Sequence, residues 1–254
     1  MHYLNRLMSN CLKHHEIVCM KCVVVGNCQA RALSILVSKL NADVTALGVV
    51  VVHLANESER QGHLDLFDDA DLILSQKTSD SYPVQHVTSG FIRERYPEKT
   101  LVWPNSFYIG QTPYLRYVSH VDDGRVLSPL DAYHDLRIFK NWYEDRVGPW
   151  PHSEIDVGEL RRLSLDSLSQ REQGCDVTIS DFIREFENSN RLFWTFNHPT
   201  NMLLVELSKR VLMRLSKPYK ASQIDGPEYL ARIVPPTDDQ TDIVGTNIDF
   251  SQAV

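Results

Sequence analysis

The chain has 254 residues, of which 43% are hydrophobic and 23% charged, and its formal net charge is −7. This length and composition are typical of a globular protein with a substantial core, and the acidic balance argues against a broad nucleic-acid surface. No apolar run reaches the roughly 18 residues of a membrane helix, so we predict no insertion into a membrane. The N-terminus also lacks the apolar core of a signal peptide.

The cysteines of the chain are scattered: Cys11, Cys19, Cys22, Cys28 and Cys175. They are too few for a disulfide framework in a chain of this length, which predicts a reducing, cytoplasmic location. Cys19 and Cys22 form a C-x-x-C pair, but no second pair follows at the spacing of a zinc site. We therefore predict no metal.

The periodic part of the sequence predicts a single compact α/β domain over residues 20–216. Residues 1–19 precede a second methionine, Met20, and are predicted to be a loose N-terminal extension. From Lys217 the periodicity fades, and two prolines in succession indicate a poorly ordered tail over residues 217–254.

The first half of the domain alternates between strand and helix patterns. Short apolar runs predict strands at residues 22–25, 49–54, 72–74 and 101–103, with Pro104 ending the last one. Apolar residues at helical spacing indicate helices at about 30–40, around 64–67 and at 87–95. This alternation predicts a mainly parallel sheet with flanking helices.

The second half has a different character. Residues 105–129 are rich in aromatic residues, proline and glycine and are predicted to form a long ordered loop. Helices are predicted at residues 131–146, 154–170, 179–187 and 202–215, so this half is predicted to be mostly helical. Ser180 is interpreted as an N-cap and Asp181 as a first-turn acid.

Polar side chains follow three of the predicted strands. Ligand sites of open parallel sheets lie beyond the carboxyl ends of the strands, where loops lead into helices. The residues that this rule gathers into one candidate site are Gly26, Asn27, Cys28, Gln29, Gln76 and Asn105.

Cys28 is the candidate nucleophile. It lies at the start of a predicted helix, where unpaired N–H groups and the helix dipole favour a thiolate and would stabilise an oxyanion. Gly26 would let a substrate or a backbone approach closely, and Asn27 and Gln29 supply amide donors. The alternative is that Cys28 is a small buried residue that packs the helix start.

Two histidines are candidates for the base that a thiolate nucleophile requires. His198 precedes Pro199 in a loop before the last apolar helix, so it has a restricted backbone and can face a cleft. The alternative is an exposed imidazole in a helix-capping loop. His134 is flanked by acidic residues that would orient an imidazole, but it also fits a surface position on a helix.

A resemblance to a known family extends over most of the chain. The segment of residues 23–33, VVVGNCQARAL, resembles the opening motif of the WcbI family of polysaccharide-biosynthesis proteins. Further blocks follow in that family's order: DLILSQ at 71–76, WPN at 103–105, YHD at 133–135, RE at 171–172, and RLF through NHP at 191–199. The similarity runs from about residue 21 to 215 and makes residues 20–216 a WcbI-like catalytic domain.

The resemblance implies a protein that binds coenzyme A and transfers an acetyl group from acetyl-coenzyme A to a small-molecule or glycan acceptor of a capsular or other surface polysaccharide. It assigns the active site to Asn27, Cys28, Gln29, Gln76 and His198. The phosphates of coenzyme A require cationic or N–H donors near the cleft. The candidate cations closest to the site segments in sequence are Arg31, Lys77, Arg116, Arg137 and Lys140.

The layout is also similar to that of SGNH-type serine esterases. Cys28 would replace their serine and His198 would be their histidine. Two positions depart from that pattern: Asn27 stands where those enzymes have aspartate, and Thr195 stands where they have the acid that orients the histidine. A carbohydrate esterase and a non-catalytic sugar- or nucleotide-binding protein therefore remain alternatives to the acetyltransferase.

Overall fold

A computed structural model describes residues 19–120, 124–125, 133–150, 153–220 and 226–231. Its centre is a parallel sheet of β1 (Met20–Gly26), β2 (Val44–Val51), β3 (Leu72–Gln76) and β4 (Thr100–Trp103), in the order β2-β1-β3-β4. Every pairing in this sheet is parallel. The predicted α/β class and its four neighbouring strands are confirmed.

The two central strands are buried along almost their whole length. In β1 the residues from Cys22 to Gly26 are buried, and in β3 every residue is. A strand covered on both faces has no polar face, which is why these segments are continuous apolar runs. The edge strand β2 is more exposed and begins at Val44, five residues before the predicted start. Its predicted last residues instead form a 3-10 turn, Val52–Leu54.

Helices cover both faces of the sheet. They are α1 (Gln29–Leu40), α2 (Arg60–Asp69), α3 (Ser89–Arg95), α4 (Leu136–Arg146), α5 (Val157–Arg171), α6 (Ser180–Phe186) and α7 (Asn201–Arg214). Val24 belongs to the core shared with α1 and α7, whereas Val23 and Val25 belong to the core shared with α2 and α3. Because successive side chains of a strand point to opposite faces, β1 contributes side chains to the apolar layer on each side of the sheet. Among the described residues, no helix combines the length and apolarity that spanning a membrane would require.

The region predicted as a long loop contains short strands. β5 (Leu115–Tyr117) pairs antiparallel with β8 (Tyr133–Asp135), and β6 (Ser119–His120) pairs with β7 (Gly124–Arg125). Residues 121–123 and 126–132 lie outside the described residues. The helix predicted from residue 131 begins only at Leu136, because Asp135 is its N-cap and its carboxylate accepts a hydrogen bond from the Arg137 N–H.

The cap predicted for α6 is wrong. Ser180 is the first helical residue, and the N-cap residue is Ile179, whose side chain makes no capping bond. The buried carboxylate of Glu172 accepts hydrogen bonds from both of these backbone N–H groups and from the Ser180 hydroxyl. A cap supplied eight residues upstream leaves no local sequence signal. Asp181 does lie in the first turn, as predicted.

Parts of the predicted tail are ordered against the domain. The Lys220 N–H donates to the Leu40 carbonyl, and Asn41 Nδ2 donates to the Pro218 carbonyl. Glu228 accepts a hydrogen bond from the Asn201 N–H at the start of α7. Residues 217–220 and 226–231 of the predicted tail therefore make hydrogen bonds with the domain. A last pair of strands, β9 (Phe193–Thr195) and β10 (His198–Pro199), precedes α7.

Candidate functional site

The turn between β1 and α1 is held by the side chain of Asn27. Its Oδ1 accepts a hydrogen bond from the Gln29 N–H at 3.0 Å, and its carbonyl accepts one from the Ala30 N–H at 3.0 Å. Cys28 occupies the N-cap position of α1 and is half-buried, and its side chain makes no capping bond. The sequence thus places a thiol at a helix start whose cap comes from its neighbour.

Gln29 connects this turn to two distant segments. Its side chain is fully buried. Its Nε2 donates to the Ser106 carbonyl at 3.1 Å and to the Asn197 carbonyl at 2.9 Å. Its Oε1 accepts from the Ser106 N–H and from Gln76 Nε2, both at 3.3 Å. All the hydrogen-bonding positions of this amide are therefore used inside the protein.

The ends of three strands meet at this point. Gln76, the last residue of β3, accepts a hydrogen bond from the Asn27 N–H at 2.9 Å through its Oε1. Asn105, which follows β4, accepts one from Asn27 Nδ2 at 3.3 Å. The convergence of residues 26–29, Gln76 and Asn105 at the carboxyl edge of the sheet agrees with the prediction. Whether any of them binds a ligand remains a prediction.

The structure does not support two roles predicted for this turn, the N–H donors for an oxyanion and the approach of a substrate at Gly26. The N–H groups of Asn27, Gln29 and Ala30 all have internal acceptors, so these three do not supply the oxyanion donors that we predicted. A Cβ on Gly26 would lie 2.8 Å from Trp103 Cζ2 and 3.0 Å from Gln76 Cβ. The close approach that requires glycine is therefore made by two side chains of the protein, not by a substrate.

His198 lies in a polar and aromatic pocket of the second half. It is the first residue of β10 and is 5% exposed. The hydroxyl of Tyr133 lies 3.4 Å from His198 Nδ1, and the same hydroxyl lies 2.8 Å from Asn197 Oδ1. An exposed imidazole in a capping loop is thus excluded, since the ring is buried against β8.

The hydrogen bonds of Tyr133 indicate the tautomer of His198. Burial raises the pKa of the Tyr133 phenol above its ordinary value, so the phenol is neutral and has one proton to donate. That proton goes to Asn197 Oδ1, which cannot itself donate. The phenol oxygen can then accept from His198 Nδ1, and in that tautomer Nε2 would be the unprotonated nitrogen.

Asn197 is held by further contacts. Its Nδ2 donates to the Tyr117 hydroxyl at 3.0 Å, and its Oδ1 accepts from the Thr195 hydroxyl at 2.9 Å. The ring of Phe196 packs between those of Tyr117 and Tyr133, at 4.9 and 5.4 Å between centroids. Thr195 therefore contributes to the site through Asn197, although it cannot be a charged orienter.

His134 lies on the other side of the β5–β8 pair. Tyr133 and Tyr117 are partners in the strand register and both reach Asn197, whereas His134 is the register partner of Arg116. Successive side chains of a strand point to opposite faces, so His134 leaves β8 on the side opposite to Tyr133. His134 is also a strand residue, not a helical one.

Two other cysteines and the five candidate cations differ in burial and in their partners. Burial raises the pKa of Cys22 to about 12 and that of Cys175 to about 11, so neither is a ready thiolate. Arg137 pairs with Asp135, Lys140 with Glu154, and Lys77 donates to the Gln173 carbonyl. Arg31 is exposed. Arg116 is half-buried and donates to the carbonyls of Pro113 and Leu115.

Sequence reasoning missed the roles of Tyr133, Tyr117 and Asn197. The family resemblance includes the block at 133–135, but the acids beside His134 favour the histidine as the functional residue of that block. A strand of three residues is too short for a period of two to distinguish it from the helix that follows, so no local pattern indicates Tyr133. Within the described parts of the chain, no cluster of three or more His, Cys, Asp or Glu residues is suited to holding a metal ion.

The fold is that of an α/β protein with a cysteine two residues beyond its first strand, at the N-cap of the first helix, and a buried histidine in its second half. The family model described as "Polysaccharide biosynthesis enzyme WcbI" matches residues 21–219, and the chain belongs to that family. The predicted family is confirmed. No curated protein matches the chain.

A solved structure has the same fold. It is described as WcbI, a novel polysaccharide biosynthesis enzyme, in native form without a disulfide bond between coenzyme A and one of its cysteines. The two chains are 24% identical, the TM-score is 0.68, and the match covers 83% of this chain and 74% of the other. At this identity the likeness establishes the architecture of the domain.

Proposed function

We propose that this polysaccharide-biosynthesis protein is an acetyltransferase that moves an acetyl group from acetyl-coenzyme A to a sugar hydroxyl of a surface polysaccharide. Its family membership supports the substrate class. The related structure supports the donor, since its description names coenzyme A together with a cysteine. Cys28 is the described cysteine that lies at the carboxyl edge of the sheet.

The observation that carries the proposal is the hydrogen bond from Gln29 Nε2 to the Asn197 carbonyl. It joins residues 168 positions apart, and each is the direct neighbour of a proposed catalytic residue, Cys28 or His198. The turn that presents the thiol and the strand that presents the imidazole therefore lie side by side. That Cys28 and His198 open into one pocket is part of the proposal.

The proposed reaction has two steps. The Cys28 thiolate attacks the thioester carbonyl of acetyl-coenzyme A, which forms a new thioester on Cys28 and releases the coenzyme as its thiolate. A sugar hydroxyl then attacks the Cys28 thioester while His198 Nε2 takes the hydroxyl proton. The products are the sugar ester, the Cys28 thiolate and an imidazolium, whose proton passes to the departing coenzyme or to water.

Tyr133 and Asn197 replace the acid of a serine esterase in this scheme. The oxygen of Tyr133 accepts the Nδ1 proton and holds the ring, and Asn197 fixes the phenol in turn. A neutral orienter stabilises an imidazolium less than a carboxylate does. A thiol ionises more readily than a serine hydroxyl, so it needs less help from the base.

Calorimetric titration with coenzyme A and acetyl-coenzyme A tests the proposal. Both ligands should bind, and at about 100 times the dissociation constant they should stabilise the fold by about 2.7 kcal/mol. Incubation with acetyl-coenzyme A should add one acetyl group to the wild type and to Cys175→Ala, but none to Cys28→Ala, as measured by intact mass.

Three results would contradict parts of the proposal. If neither coenzyme A nor acetyl-coenzyme A binds the folded wild-type protein, the transferase is excluded. Binding without any acetylation of Cys28 would restrict this residue to holding the thioester. Release of acetate from an acetylated glycan, with no affinity for the coenzyme, would favour the esterase.

A further inference from the structure

A cavity lies beside the β5–β8 pair and α4. It has a volume of about 270 Å³, close to the lower bound of about 300 Å³ for small-molecule pockets. Its described lining includes the rings of Tyr114, Phe139 and Trp150. Trp150 meets the Phe139 ring edge-on at 6.0 Å between centroids.

Two ion pairs interrupt this aromatic lining. Arg137 makes a two-point contact with Asp135, with Nη2 to Oδ2 at 2.9 Å and Nε to Oδ1 at 3.2 Å. Lys140 Nζ lies 2.5 Å from Glu154 Oε1. The guanidinium of Arg137 also lies over the Tyr114 ring, at 4.2 Å from its centroid. The cavity thus offers flat apolar faces beside paired donors and acceptors.

This combination restricts the class of ligand. An entirely apolar ligand would remove the remaining water from the Arg137–Asp135 pair, whose side chains are 29% and 8% exposed, and this desolvation is costly. A phosphate would need unpaired cations, but the lining cations Arg137 and Lys140 each face a carboxylate. A neutral sugar ring satisfies both conditions, because it presents C–H faces to aromatic rings and hydroxyl groups at its rim to charged side chains.

The position of the cavity relates it to the catalytic residues. Tyr133, which contacts His198, and Leu136, which lines the cavity, are three positions apart in the chain, or about 10 Å when extended. We infer that this cavity is a binding subsite for a neutral sugar unit of the acceptor. The inference rests on the proposed function for its link to acetyl transfer, but the binding itself does not require it.

Saturation-transfer NMR tests the inference with the methyl glycosides of glucose, galactose and mannose, and with adenosine as the rival flat ligand. Each is used at about 10 mM, where a ligand with a dissociation constant of 1 mM fills most sites. At least one glycoside should receive magnetisation from the wild-type protein. Trp150→Leu should weaken that binding at least tenfold, whereas Trp142→Leu, at a position on α4 that is 47% exposed and does not line the cavity, should not.

Glu154→Ala provides a variant that will not disturb folding, because this side chain is 85% exposed, and it should also weaken the glycoside. The inference is overturned if no glycoside binds the folded wild type, if only adenosine binds, or if Trp150→Leu binds as the wild type does. A parallel titration with coenzyme A separates the two proposals. If the wild-type protein binds a glycoside but not coenzyme A, the proposed reaction is contradicted and the sugar subsite is still supported.

Discussion

The carboxyl edge of the parallel sheet and the β8–α4 region meet at the candidate site but are built differently. At the sheet edge, the buried amides of Gln29 and Gln76 bond to each other and to backbone groups. In the β8–α4 region, half-buried aromatic rings and ion pairs border an open cavity. The edge therefore fixes the position of Cys28, whereas the β8–α4 region leaves space beside its aromatic and charged side chains.

The largest effect expected at the sheet edge is on catalysis. Cys28→Ala should lower the rate of acetyl transfer by about 10⁴-fold, equal to about 5.5 kcal/mol, because the covalent step is lost. The unfolding free energy and the affinity for coenzyme A should change little. Steady-state kinetics measures the transfer rate, with Cys175→Ala as the control variant that should keep its activity. A variant that retains a tenth of the wild-type rate would show that Cys28 is not the nucleophile.

Gln29→Leu should have the largest effect on stability. The substitution leaves the Ser106 N–H, the Ser106 carbonyl and the Asn197 carbonyl without their partner in a buried place. Each such loss costs about 1–3 kcal/mol, so we expect about 4 kcal/mol in urea unfolding. The exposed Gln61→Leu should change stability by less than about 0.5 kcal/mol. Equal losses of stability in the two variants would contradict the claim that the buried amide of Gln29 stabilises the sheet edge.

Gly26→Ala tests whether the sheet edge is closely packed. The added Cβ would lie 2.8 Å from Trp103 Cζ2, so the ring must shift, and we expect a loss of about 2 kcal/mol. Gly62→Ala is the matched control, because its Cβ would meet nothing within 4 Å. In a helix it should raise stability by about 0.5–1 kcal/mol. Opposite signs in thermal unfolding are expected, and a neutral Gly26→Ala would contradict the packing argument.

Tyr133→Phe should have the smallest effect, and it concerns the β8–α4 region. Loss of the hydroxyl removes the acceptor for His198 Nδ1–H, and we expect about a tenfold slower transfer, or about 1.4 kcal/mol. The imidazolium also loses a partner, so the acidic limb of the pH–rate profile should move to lower pH. Tyr219→Phe, at an exposed position, should leave both unchanged. An unaltered pH profile in Tyr133→Phe would mean that Tyr133 does not orient the base.

The two regions also differ in how far the sequence predicts them. The four strands of the sheet were predictable because buried parallel strands are continuous apolar runs, and their polar ends identified residues 26–29, Gln76 and Asn105. The hydrogen-bond saturation of Gln29 was not predictable, since three of its four partners lie on Ser106 and Asn197, far along the chain.

The prediction of β8 failed for a physical reason. A three-residue strand has too few positions for a period of two to stand out from the helix that follows it. The acids around His134 suggested an oriented base, but Asp135 caps α4 and pairs with Arg137. The neighbouring Tyr133 reaches His198 only because β8 pairs with β5, which no local pattern specifies.

Residues 226–231 contact α7, so the part of the chain needed for activity should include them. Glu228 accepts hydrogen bonds from the Asn201 N–H at 2.7 Å and from Trp194 Nε1 at 3.0 Å. These two residues bracket the segment that carries His198. Truncation at residue 216 would keep every element of the sheet but remove this brace, so the histidine loop would lose an anchor on each side. An expression fragment meant to be active should therefore extend at least to residue 231.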